Sequence, residues 1–257
     1  MMTRLPARHR AFTIVEVLVV IGVLAVLIAI LLPAMRSARV ASMQAASGSN
    51  LRQLGTATLA YLSAWHNHLP QKAIDVGGGT EVIIGSLFGG KRGQLPQFGI
   101  NTTGADARPL NRYLTQDRPD PDEDMPMFES PLDIGMSNPA YGSPSSMYEF
   151  LGSSYTLNDH SLEGDEYATL VPSQSPSGRP GGRMPVVTDT SKTWMLAEHP
   201  IYNFQANDDR GMRWVGTDVR ASMCFVDGSV QVGVIVPPGV VNTTEDYTFL
   251  PRPDWPD

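Results

Sequence analysis

The chain has 257 residues, a formal net charge of -7 and a single cysteine, Cys224. An acidic balance without clustered Lys and Arg argues against a nucleic-acid binder, since phosphate binding needs such clusters. One cysteine excludes an internal disulfide, and 24 Gly with 21 Pro point to many turns and long connections. The length suits one anchor and one medium globular domain.

Residues 1–11, MMTRLPARHRA, carry Arg4, Arg8 and Arg10 and no acid. Without them the side-chain balance of the remainder falls to about -10. Residues 12–35 read FTIVEVLVVIGVLAVLIAILLPAM, apolar apart from Glu16. As a helix the run rises roughly 36 Å, enough for a hydrocarbon core of roughly 30 Å. Positive charge precedes it, so the N-terminus should stay in the cytoplasm and the body should be exported. A carboxylate near the edge of hydrocarbon costs roughly 2–4 kcal/mol. A plain signal anchor needs no acid there, and an ordinary signal peptide has a shorter apolar stretch of roughly 7–15 residues. Glu16 is therefore read as functional.

The pattern R-A-F-T-I-V-E-V-L-V-V-I around Ala11, Phe12 and Glu16 resembles the prepilin-type N-terminal cleavage and methylation segment of type IV pilins and type II secretion pseudopilins. In that family a small residue, usually Gly, ends a basic leader, Phe follows, and Glu is the fifth mature residue. Ala11 departs from the usual Gly, and Ala is the smallest alternative side chain. The resemblance implies cleavage between Ala11 and Phe12 by a prepilin peptidase and N-methylation of Phe12. Glu16 would then pair with the new amine of a neighbouring subunit in a bundle of helices. Pairing offsets the desolvation of both charges and sets the axial stagger.

Pro33 is read either as a kink or as the end of the membrane helix. Beyond it the chain is Ala-rich, and Leu51, Leu54, Thr58, Tyr61, Leu62 and Trp65 recur at three- and four-residue steps. That spacing predicts an amphipathic helix with one face to bury after Asn50. The unbroken reading is one helix over residues 12–65, weakened at Gly48 and Gly55 by about 1 kcal/mol each relative to Ala. His66-Asn67-His68 and Pro70 end it, as a solvated terminus in preference to a metal pair.

In the middle, residues 80–84 are a strand candidate. Residues 85–92, GSLFGGKR, miss a phosphate-binding loop because Arg92 stands where Ser or Thr should meet magnesium and Pro96 follows. DRPDPDED at 117–124 does not match an EF-hand, and its prolines predict an extended solvated segment. Two short stretches, F-E-S-P-L-D (128–133) and S-S-Y-T-L-N (153–158), resemble F-x-C-P-x-D and S-S-Y-x-x-N elements of planctomycete-type pseudopilins, with Ser130 in place of the cysteine.

Residues 186–188 and 194–197 are strand candidates. The clearest hairpin follows, 221–226 and 229–236 around Asp227-Gly228, a two-residue turn signal. Met223 and Phe225 should share one face, Cys224 and Val226 the other, which makes Cys224 a small buried residue. The F-V-D-G-S-V hairpin resembles the end of an H-x9-D-G prepilin signature, with Thr217 where the His should stand.

The expectation is an α+β pilin-like fold, a long N-terminal helix packed on a small antiparallel sheet. It divides into a leader (1–11), a transmembrane helix (12–35), an amphipathic stalk (36–66), a globular domain (67–236) and an irregular Pro-rich tail (237–257). The expected function is a structural subunit of a pilus or pseudopilus, with no catalytic residues, metal or cofactor. Its expected partners are the prepilin peptidase, other pilin subunits and the bacterial inner membrane. The competing reading is a membrane-anchored exported binding protein or enzyme. Against an enzyme, His160, His199, Asp189 and Glu198 form no triad or metal spacing.

Overall fold

Apolar and Ala-rich sequence without a helix stop produces one helix, α1, over Ile14–Ala64. The computed structural model describes residues 14–75, 81–158, 182–204, 208–239 and 244–250. The chain forms two units, residues 1–42 and 43–257. In the first, the helix runs through Pro33, which therefore does not terminate it. Residues 14–39 are exposed on every side. By length and composition α1 is the one helix among the described residues able to cross a membrane.

The second unit is α+β, of the pilin-like kind. Here α1 buries Ser47, Gly48, Leu51, Leu54, Gly55, Ala57, Thr58, Tyr61 and Leu62, one stripe at helical spacing. The stripe begins earlier than the apolar pattern suggests, because Ser47 and Gly48 belong to it. Trp65 leaves it. That ring is 43 % exposed, stacks on Tyr61 at 5.7 Å and donates Nε1–H to the Tyr113 hydroxyl at 3.0 Å. The helix ends as His66 and Asn67 turn to positive φ and the Asn67 amide reaches the Leu62 carbonyl at 2.8 Å, satisfying one orphan acceptor.

Four strands form the main sheet: β3 (Tyr155–Leu157), β4 (Trp194–Glu198), β5 (Arg220–Phe225) and β6 (Val230–Ile235), in that spatial order. All neighbours are antiparallel. A separate hairpin pairs β1 (Ala73–Asp75) with β2 (Glu81–Ile83). A short helix, α2 (Met147–Leu151), is capped by Ser146, whose side chain accepts from the Glu149 amide.

Both faces of the main sheet are covered. On one, Leu196, Cys224, Tyr155 and Leu157 pack with Leu51, Leu54 and Leu62 of α1. On the other, Trp194, Ala197, Met223 and Phe225 pack with Tyr202, Tyr247 and Phe249. Among the described residues the ladder register shifts twice, between Ala221 and Met223 where β5 meets β6 and between Trp194 and Leu196 in β4. The β4 bulge lets the consecutive residues Met195 and Leu196 enter the same cluster.

Two local expectations change. Residues 186–188 form no strand, and Val186 is 72 % exposed. β-branched composition needs a partner edge to become a strand, and none is offered there among the described residues. The β5–β6 turn has three residues, not two. The Phe225 amide meets the Ser229 carbonyl, and the Gly228 amide meets the Phe225 carbonyl, each at 2.9 Å. Gly228 alone has positive φ, at 84°, whereas a two-residue type I′ turn needs it at both central positions. The tail contributes to the core: Tyr247, Phe249 and Leu250 are buried. Thr248 lies parallel to Thr193, holding the entry to β4.

Gly48 and Gly55, weak points by helix propensity, are where α1 touches the sheet. A Cβ on Gly48 would stand 2.9 Å from Val232 Cγ1, and one on Gly55 would overlap Cys224 Sγ. Gly55→Ala should therefore destabilise the body by about 1–3 kcal/mol, measured by chemical unfolding of the full chain in detergent. Cys224→Ala in the same chain should recover part of that loss by removing the obstructing sulfur. A loss indifferent to Cys224→Ala would place the strain elsewhere.

Candidate functional site

Ala11 and Phe12 lie outside the described residues. Glu16 occupies the first turn of α1 and is the only acid in that helix. The positive end of the helix dipole favours a carboxylate there. Its neighbours Val15 and Val17 are exposed, so the carboxylate sits within an exposed apolar stretch of the helix.

The body contains a second notable carboxylate. Glu198, the last residue of β4, is 2 % exposed. Its Oε1 accepts from Ser47 Oγ and from Ser130 Oγ, both at 2.6 Å. Its Oε2 accepts from the Ser222 amide at 2.7 Å. The Tyr155 hydroxyl is 3.1 Å from Ser47 Oγ. Three elements, namely α1, the loop after Phe128 and β5, thus meet at one carboxyl, and β3 joins them through Tyr155. Among the described residues no Lys or Arg pairs with it. Burial pushes its pKa up, and the hydrogen bonds from Ser130, Ser47 and Ser222 pull it partly back. Burial also raises the Tyr155 phenol, with Glu198 adding to the effect.

The two short stretches 128–133 and 153–158 come together around this carboxyl. Ser130 and Tyr155 belong to its network. Asp133 accepts from Ser154 Oγ at 2.7 Å and from the Met147 and Tyr148 amides at 2.9 and 2.8 Å, which fastens the start of α2. The Ser154 amide meets the Phe128 carbonyl at 2.8 Å. Asn158 extends the β3–β4 ladder, its Nδ2 donating to the Trp194 carbonyl at 2.8 Å. Sequence spacing missed Glu198 because its partners, Ser47, Ser130 and Ser222, come from three separated segments. The available signal was an acid closing the otherwise apolar strand W-M-L-A-E.

Residues 85–92 have the opposite polarity to a phosphate cradle. A phosphate loop aims backbone N–H groups inward. Here the Ser86 and Gly89 carbonyls accept from Arg108 Nη1, each at 2.8 Å, and the Leu151 carbonyl accepts from Nη2 at 3.0 Å. Arg108 is buried, and burial pulls its pKa down to about 9. Asn111 brackets Gly90 from both sides, at 2.9 and 2.8 Å. Lys91 pairs with Glu149 at 2.5 Å and Asp124 at 3.4 Å, and Arg92 pairs with Asp122 at 3.2 Å. The bases of the glycine-rich loop therefore hold the acidic stretch 117–124. No group of three or more His, Cys, Asp or Glu suited to a metal occurs among the described residues. His68 Nδ1 lies 2.7 Å from the Trp65 carbonyl. Burial pushes the Cys224 thiol up to about 12, with Asp227 adding to the shift, so its thiolate is strongly disfavoured.

The sign of the Glu198 shift yields a pH prediction. Stability from a carboxyl with a raised folded-state pKa is fully present below its unfolded value, about 4.3. It is lost as pH rises through the folded-state value. As pH rises above about 4.3, the unfolding midpoint of the parent should fall relative to Glu198→Gln. The Gln amide keeps the shape, and the serine hydroxyls can turn to accept from it. A pH-independent difference would overturn the assignment. Glu198→Ala should cost on the order of 3 kcal/mol, because it orphans buried donors.

A family model described as the prokaryotic N-terminal methylation motif matches residues 6–32. The matched stretch holds Ala11, Phe12, Glu16 and most of the apolar run. No curated protein and no solved structure matches the chain. The N-terminal segment is thus similar to the methylation segment of prokaryotic pilin-like precursors, and it leads into an α+β body of pilin-like architecture.

Proposed function

We propose that the chain is the precursor of a structural subunit of a pilus or pseudopilus. The observation that carries this reading is the methylation-motif match over residues 6–32, placed directly on the apolar half of a helix whose other half carries the body. A prepilin peptidase cuts between Ala11 and Phe12, and the new amine of Phe12 is methylated. The chain crosses the inner membrane once, with its N-terminus in the cytoplasm and its body in the periplasm. Subunits associate through α1, and Glu16 of one pairs with the Phe12 amine of the next. The cut creates the positive partner, four residues from the acid, at the same membrane depth. The body works by packing and carries out no catalysis of its own.

Mass spectrometry of the mature N-terminus tests the processing step. The expected species begins with N-methylated Phe12. An intact Met1, or a cut after Ala38 instead, sinks the proposal. Glu16→Ala tests the pairing. Removing one partner of a buried pair costs about 3–5 kcal/mol, so fibre yield should fall by more than about tenfold. Export and folding of the body should remain normal. Normal fibres from Glu16→Ala would count against the pairing while leaving the processing result standing.

A further inference from the structure

After Glu16, α1 carries no acid at all; its remaining charges are Arg36, Arg39 and Arg52. Arg36 and Arg39 lie in the first unit, immediately beyond the apolar run that ends at Met35. Three residues apart, they share one face of the helix. Both are exposed, and neither enters an ion pair among the described residues. Nearby, Ser37 Oγ is turned back onto the Ala34 carbonyl at 2.9 Å, so it offers little to solvent. Two bases side by side stand out in a chain of net charge -7.

Their depth specifies what they meet. Residues 14–35 rise about 33 Å as a helix, against a hydrocarbon core of about 30 Å. The next turn therefore lies among phospholipid headgroups. An arginine stem can run along the apolar boundary while its planar fork meets phosphate oxygens in pairs. Headgroup phosphates occupy that depth whatever the body does. A carboxylate on a second copy's body would have to be brought there.

We propose that Arg36 and Arg39 form a headgroup clamp for anionic phospholipid in the leaflet on the body side of the membrane. The clamp fixes the axial depth of the resting subunit and adds a lipid-dependent barrier to its departure from the bilayer. The proposal rests on α1 being a membrane span, so insertion is measured separately.

The test uses the full chain with Arg4→Gln, Arg8→Gln and Arg10→Gln, which removes leader charges that would also attract anionic lipid. The chain is reconstituted in mixed phosphatidylglycerol and phosphatidylethanolamine, and lipid retained after detergent extraction is counted by native mass spectrometry. Resistance to alkaline extraction reports insertion. The expected result is severalfold enrichment of retained phosphatidylglycerol, lost in Arg36→Gln/Arg39→Gln and kept in Arg52→Gln. Equal enrichment with and without the two arginines overturns the clamp, as does the absence of any enrichment in the parent. Loss of self-association with unchanged lipid retention also overturns it, assigning the pair to a second copy. Failure of the alkaline test removes the membrane reading itself, an outcome distinct from the others.

Discussion

Close approach between α1 and the main sheet is the constraint on which the body depends. Two glycines, Gly48 and Gly55, let the helix backbone come within reach of Val232 and Cys224. Any larger side chain at either position would push the two layers apart. Leu51 and Leu54 would then lose the packed contacts that bury them completely. The helix accepts a lower intrinsic propensity at both sites, and tertiary packing more than offsets it.

The same contact explains the buried carboxyl. At the approach of helix to sheet, the Ser47 hydroxyl and the Ser222 amide face inward together, and Glu198 accepts from both. Ser130 brings the loop after Phe128 to the same point. An apolar residue in place of Glu198 would leave these donors unmet, at a cost that accrues for each group. The knot therefore specifies one arrangement of four segments, where apolar packing alone would tolerate several. The first unit works under a different rule. Its described residues 14–39 are exposed and mostly apolar, and the charges among them, Glu16, Arg36 and Arg39, stand near the two ends.

Much of this organisation was legible in sequence because it is local. The apolar run, the lone Glu16 and the three- and four-residue recurrence after Asn50 are read within a few turns of one helix. The paired faces of β5 follow from period two. Errors arose where a choice depended on something distant. Residues 186–188 have strand composition but no edge to join among the described residues. The Asp-Gly turn took a third residue because Asp227 kept a negative φ. The bulge in β4 put Met195 and Leu196 on one side, against alternation. Glu198 was noticed only as an acid without a triad, since its partners lie far away in the chain.

The sequence by itself determined a membrane-length helix with one acid in its first turn, an amphipathic continuation, and a C-terminal hairpin. These rest on short-range periodicity and on the cost of placing charge in hydrocarbon, which a linear chain already displays. Only the tertiary structure decided that Gly48 and Gly55 are contacts and not defects, that Arg108 fills the glycine-rich loop with a cation, and that Glu198 gathers Ser47, Ser130 and Ser222. Those outcomes depend on which distant groups are brought within hydrogen-bonding or van der Waals distance. Such distances are set by the packing of whole elements, and no local pattern encodes them.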